Sequence, residues 1–198
     1  MTTGVGLPIF STRVLLRPWS LSDANALFRL ASDVNVAAGA GFPVHSNVGD
    51  SSRVIREILK VPECYAVVLR ETNAVVGCIQ LFTESGRSVY EADCPEIGYW
   101  LGRPYWGAGL MTEAVATICR HCFGSRLFRA SMIVAKVKQD NVASKRVLEK
   151  SGFALERNGE MSEYRIGRKN SWNLNYPVCL RAACYFPKDR IYSCRKLY

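Results

Sequence analysis

In "TRVLLRPW", residues 12 to 19, apolar side chains fill a short run that Pro18 closes, which predicts a strand. The spacing then lengthens: Ala24, Leu27, Phe28 and Ala31 share one face of a predicted helix that Ser22 or Asp23 can cap. "DVNVAAGAGFPVHSN" (33 to 47) has small-residue and proline breaks and no period, so it is expected to be a loop, and loops of this length often serve sites. Val54, Ile55, Ile58 and Leu59 align on a second helix. "YAVVLRE" and "VVGCIQLF" flank a short polar turn and predict a hairpin from Tyr65 to Phe82; "EIGYWL" (96 to 101) predicts another strand.

Directly after that strand comes "PYWGAGLMTEAV" (104 to 115), and then Leu110, Ala114, Val115, Ile118, Cys122 and Phe123 fall at helical spacing. Glu113, Thr117, Arg120 and His121 are expected on the opposite, polar side of this helix. Gly107 and Gly109 therefore sit at a strand-to-helix junction. The unpaired N–H groups of a helix start, at the positive end of its dipole, favour an anion, and glycine lets a ligand approach the main chain. A phosphate is the obvious candidate. A Walker loop needs G-x-x-x-x-G-K-[ST] and a dinucleotide fold needs G-x-G-x-x-G, and neither is present. "RASMIVAKV" (129 to 137) predicts a further strand and "NVASKRVLEKSGF" (141 to 153) a short helix ended by Gly152.

The chain has 198 residues, 48% hydrophobic and 22% charged, which suits one soluble globular domain, and no apolar run approaches the ~18 residues of a membrane span. The opening "MTTGVGLPIF" lacks the features of a secretory signal, so the chain reads as intracellular and cytoplasmic and its eight cysteines as thiols. Cys119 and Cys122, with Cys179 and Cys184, have poor spacing for zinc and read as buried apolar residues; no metal is expected. Of the net charge of +9, +6 falls in residues 167 to 198. Such a basic end can meet nucleic acid or anionic surfaces, or can simply be solvated.

In that order, "EIGYWL", "PYWGAGLMTEA", "SMIVAKV" and N-x-x-S-x-x-V-L-E-K-x-G-F resemble the general N-acetyltransferase (GNAT) superfamily. The branch is the one similar to ribosomal-protein N-terminal (serine/alanine) acetyltransferases, and "TRVLLRPW" with "SDA" is similar to its opening. The resemblance covers about residues 9 to 166 and implies an α/β (α+β) fold. Its mixed, mostly antiparallel sheet would have about seven strands, with parallel fourth and fifth strands splayed, flanked by about four helices. It implies one acetyltransferase domain over residues 1 to 181, with "WNLNYPVCLR" as a closing strand, and a basic tail at 182 to 198.

Acetyl-CoA would be the co-substrate, wedged between the splayed strands. By motif, the main chain of Tyr99, Trp100 and Leu101 would pair with the pantetheine arm. The amides of Trp106, Gly107, Ala108, Gly109, Leu110, Met111 and Thr112 would hold the pyrophosphate, and Asn141 and Ser144 would face the pantetheine and its sulfur. Met111 stands where the family has Gly or Ala; its side chain either crowds the diphosphate or turns into the core.

Acetyl transfer needs a base for the amine, a donor to the oxyanion and a proton for the sulfur. Glu96 resembles the family's acidic position, as a base acting through water; a surface carboxylate is the competing reading. Where the superfamily has a tyrosine, this chain has Leu148, which leaves the Ser144 hydroxyl for the sulfur. His45, in the expected loop, titrates in the range of a base, and Arg103, Arg146 and Lys150 are candidates to reach CoA phosphates. The acceptor would be a primary amine, on a protein N-terminus or a small molecule. Two other readings use the same features: a CoA-binding module without catalysis, and a ribosome- or nucleic-acid-binding adaptor using the tail. The tail lacks regularly spaced stacking aromatics, so nucleic acid is not expected; oligomeric state is open between monomer and dimer.

Overall fold

The computed structural model describes residues 6–83 and 88–168. The expected closing strand "WNLNYPVCLR", the domain end at residue 181 and the basic tail at 182–198 lie outside the described residues.

Strands β1 (Ile9–Phe10) and β2 (Val14–Pro18) open the sheet as an antiparallel pair. Helix α1 (Ala24–Ala31) buries Ala24, Leu27, Leu30 and Ala31. Its capping box lies upstream of the expected cap, over a 3-10 turn at Leu21–Asp23. There the Ser20 hydroxyl accepts the Ser22 N–H and the Asp23 carboxylate accepts the Ser20 N–H.

The segment expected as a loop is helical from Val34 to Ala40 (α2). The Asp33 carboxylate accepts the N–H groups of Asn35 and Val36, and Gly41 ends the helix at φ 75°. Small residues gave this helix no apolar stripe, so its cap and its C-terminal glycine define it rather than amphipathicity.

Helix α3 (Val48–Val54) runs on into a π turn at Ile55–Leu59, and β3 (Cys64–Leu69) and β4 (Val75–Phe82) form the expected hairpin. After them come β5 (Glu96–Leu101), α4 (Leu110–Gly124), β6 (Met132–Lys138) and α5 (Val142–Lys150). β7 (Ala154–Arg157) and β8 (Met161–Gly167) complete the described residues.

The sheet order is β1-β2-β3-β4-β5-β6-β8-β7. Neighbours are antiparallel except β5 and β6, which are parallel. Among the described residues the sheet has eight strands and the chain five α-helices, one more of each than expected. Short β1 and α2 account for the difference, and β1 makes the expected fourth and fifth strands β5 and β6.

β5 pairs with β4 along its whole length, from Glu96 opposite Phe82 to Leu101 opposite Gly77. With β6 it registers only at Glu96 opposite Val134. Beyond that point the two strands part. One core lies under α4 and α5, and a second between the sheet and α1 and α3.

Helix α4 corrects the expectation of a polar side: Glu113 and Thr117 are fully buried. The Thr117 hydroxyl donates to the Glu113 carbonyl at 2.7 Å, and Arg13 meets the Glu113 carboxylate. Near the helix end, His121 Nε2 lies 3.3 Å from the buried carboxylate of Glu63, which also accepts the hydroxyls of Tyr65 and Tyr90. Glu113, Thr117 and His121 are tolerated on this helix because each meets a partner.

Candidate functional site

β5 leads through a 3-10 turn at Arg103–Tyr105 to Trp106, whose indole N–H donates to the Leu101 carbonyl at 2.6 Å. Gly107 (φ 77°) and Gly109 (φ 73°) then take left-handed backbone, which side chains other than glycine rarely adopt. Gly109 is the N-cap of α4 and no side chain caps the helix. Its first-turn N–H groups are thus left for a ligand. A Cβ built on Gly107 would meet nothing within 4 Å, so the cradle is open in front of this turn. Met111 does not crowd it, because its side chain is 5% exposed and packs in the core under α4.

Behind the turn, Arg13 donates to the carbonyl of Ala108 at 2.9 Å and to the carboxylate of Glu113, which is 0% exposed. Burial pushes the Glu113 carboxyl up, but the bonds from the Arg13 backbone and guanidinium outweigh it and hold the group below its ordinary value. An anion at the helix start thus faces a carboxylate already matched by a guanidinium.

Two cavities fill the gap between the parted strands. The first, ≈ 460 Å³, is lined by the β5 segment from Tyr99, the glycines at 107 and 109, the first turn of α4 and the start of α5. The second, ≈ 520 Å³, has Glu96, Gly98 and Lys136 among its lining. They share Gly39, Ala40, Tyr99, Trp100, Asn141 and Ser144.

The start of α5 is well fixed. The Asn141 side-chain carbonyl accepts the Ser144 N–H at 3.0 Å, and the Tyr99 hydroxyl donates to the Ser144 carbonyl at 3.2 Å. Burial raises the Tyr99 pKa, so the phenol stays a neutral donor. Leu148 is fully buried and offers nothing to the cleft. Glu96 is ion-paired with Lys136 at 3.2 Å, and its side chain is 14% exposed, so it is not a free surface carboxylate.

Most of the sequence-predicted residues therefore meet in one cleft. Of the residues placed on the pantetheine arm, the pyrophosphate and the reacting groups, Ala108 is the exception, since it lines neither cavity and gives its carbonyl to Arg13. Arg146 and Lys150 line the first cavity; Arg103 lines neither. His45 is not a cleft residue either: it is buried, its Nδ1 lies 2.8 Å from the Ser51 hydroxyl, and burial lowers its pKa.

Cys119 and Cys122 are buried free thiols, and burial pushes the Cys122 thiol up to about 12. Among the described residues no group of three or more His, Cys, Asp or Glu could hold a metal; Cys179 and Cys184 lie outside them. No helix among the described residues is long and apolar enough to cross a membrane.

Sequence reasoning missed Arg13, Lys136 and the Tyr99 hydroxyl. The alternation in "SMIVAKV" could have put Lys136 on the face of Glu96, but Arg13 meets Glu113 across 100 residues without a local signal.

Residues 13–154 match the family model described as an acetyltransferase (GNAT) domain. The chain is 28% identical over 156 residues to an uncharacterized N-acetyltransferase, p20, of Bacillus licheniformis, covering 75% of this chain and 83% of that protein. Solved structures share the fold, among them two acetyltransferases. RimL, a ribosomal L7/L12 α-N-protein acetyltransferase, superposes with TM-score 0.63 at 18% identity, over 83% of this chain and 99% of its own. The microcin C7 self-immunity acetyltransferase MccE, solved with acetyl-CoA and AMP, gives 0.61 at 18% identity, over 78% and 92%. A family match of that extent, on a chain folded around the parted strands that its sequence implied, makes this protein an N-acetyltransferase of the GNAT family.

Proposed function

We propose that the protein transfers the acetyl group of acetyl-CoA to a primary amine of low basicity, a protein or peptide α-amine or a small-molecule amine. The observation that carries this reading is the junction of the two cavities at Tyr99, Asn141 and Ser144, with the glycine turn on one side and Glu96 on the other.

The diphosphate of acetyl-CoA would sit on the amides from Trp106 to Thr112, with Arg146 and Lys150 near the cavity wall. The pantetheine arm would run along the main chain of Tyr99 to Leu101, where β6 no longer pairs. The amine nitrogen attacks the thioester carbon, and Glu96 takes the amine proton through water. A main-chain N–H of β5 faces the developing oxyanion. As the carbon–sulfur bond breaks, the Ser144 hydroxyl hydrogen-bonds the leaving thiolate.

The choice of amine rests on energetics. At pH 7 an α-amine with pKa ~7.8 costs about 1 kcal/mol to deprotonate, whereas a lysine near ~10.4 costs about 4.6 kcal/mol. Glu96 held by Lys136, with a serine hydroxyl at the sulfur, is a modest catalytic set that suits the easier amine. Initial rates of free-thiol release with a panel of amines test the proposal. Release that requires both acetyl-CoA and an amine supports it; tight binding of acetyl-CoA without release from any amine would reject it.

A further inference from the structure

Resting on the reading that acetyl-CoA fills the loop side of the cleft, we infer that the second cavity selects an amine carried beside a large apolar or aromatic group. Phe42, Phe82 and Trp100 set that preference.

The apolar walls of this cavity come from five parts of the chain. Phe82 of β4 and Trp100 of β5 rise from the sheet, Phe42 follows the end of α2, and Leu59 and Met161 close the sides. Phe42 and Trp100 meet edge to face, with ring centroids 5.4 Å apart. Both rings are only partly buried by the second core, and both contribute to the cavity lining. The remaining rings and aliphatic groups are apolar surface that a small polar acceptor would leave against water. A large apolar group would cover it.

The charges of the cavity do not reverse this. Glu96 and Lys136 are paired at 3.2 Å and offset each other, and Lys138 is exposed. An acidic acceptor thus finds one solvated lysine, while an apolar one finds three aromatic rings.

Strand geometry orders the two ends. Glu96 and Trp100 lie on the same face of β5, four residues or ~13 Å apart. An amine held near Glu96 can therefore send its apolar group back toward the Phe42–Trp100 corner. Between them stands Gly98, where an added Cβ would come 3.1 Å from the Phe82 ring. The missing side chain keeps the floor open where the acceptor has to pass.

The test compares phenylalaninamide with serinamide, and peptides that begin with Phe with peptides that begin with Ser, by free-thiol release at a fixed acetyl-CoA concentration. The free amides and the peptides separate a small-molecule source from a protein N-terminus. Wild type is expected to favour the Phe acceptor by about tenfold or more in kcat/KM. Phe42→Ala and the milder Phe82→Leu should shrink that ratio to about threefold or less, with acetyl-CoA affinity by calorimetry unchanged. The wild-type ratio decides by itself if Phe42→Ala does not fold. Turnover with equal rates, or with a serine preference, overturns the apolar selectivity alone. The absence of thiol release from every amine overturns the acetyl-transfer reading beneath it as well.

Discussion

Arg13 donates its backbone N–H to one oxygen of Glu113 at 2.7 Å and its Nε to the other at 2.8 Å, so the residue just before β2 clamps the first turn of α4. The same guanidinium holds the Ala108 carbonyl between the two left-handed glycines. A carboxylate buried beneath an anion site is unfavourable unless it is matched, and here the main chain and side chain of Arg13 match it.

Arg13→Ala is therefore expected to leave Glu113 buried with the backbone N–H of position 13 but without the guanidinium, at a cost of about 2–3 kcal/mol. That is less than a fully buried pair would give, because the Arg13 side chain is 46% exposed. Acetyl-CoA binding should weaken as well. Arg13→Met combined with Glu113→Gln should recover much of both losses, by denaturant midpoint and calorimetry. A double variant as weak as Arg13→Ala alone would show that the pair does not act as a unit.

The same carboxylate gives the fold an acid limit. Its pKa is lower in the folded chain than unfolded, so its stabilising contribution is complete above the unfolded value, ~4.3. It is lost as pH falls through the lower folded value. Melting temperature followed downward from about pH 6 should fall less steeply in Glu113→Gln than in wild type.

His45 sets a second, milder slope. Burial lowers its pKa, so below ~6.5 the unfolded chain takes up a proton that the folded chain refuses, and stability falls with falling pH. Urea midpoints at about pH 7.5 and about pH 5 should differ less in His45→Gln than in wild type. An unchanged difference would assign the slope to other groups.

Gly107→Ala and Gly109→Ala should each cost about 1–2 kcal/mol of stability from left-handed backbone alone, because neither added Cβ clashes: the nearest atom is at 3.6 Å from Gly109 and none lies within 4 Å of Gly107. Gly109→Glu adds a negative charge at the cradle and should weaken acetyl-CoA by about tenfold or more beyond that. Equal affinities for Gly109→Ala and Gly109→Glu in calorimetry would put the phosphate elsewhere.

Ser144 is fixed by its main chain, through Asn141 and Tyr99, so Ser144→Ala should keep the start of α5 intact. It is expected to lower kcat more than it weakens acetyl-CoA. Glu96→Gln should lower activity most at the acidic end of the profile, where the amine is hardest to deprotonate. Wild-type kinetics from both variants would remove these two residues from the mechanism.

Where local pattern and tertiary context agree, sequence was enough: the limits of β5, Glu96 to Leu101, and the glycine turn follow from "EIGYWL" and "WGAGL". α2 escaped because "VNVAAGA" has no apolar period, and only the Asp33 cap and Gly41 mark its ends. The polar side of α4 was misread because a helix wheel cannot show what covers it; Glu113 is buried by its pairing with Arg13 from the far end of the domain. For the Glu96–Lys136 pair, alternation along β6 gives the face, but the partner follows only from the register of the two strands in the sheet.

Peptides with a free α-amine and a blocked lysine, set against peptides with the reverse, test the central claim most directly through free-thiol release from acetyl-CoA at pH 7. A difference of about 3.5 kcal/mol in the cost of deprotonation predicts faster release from the α-amine set. Faster release from the lysine set would contradict it.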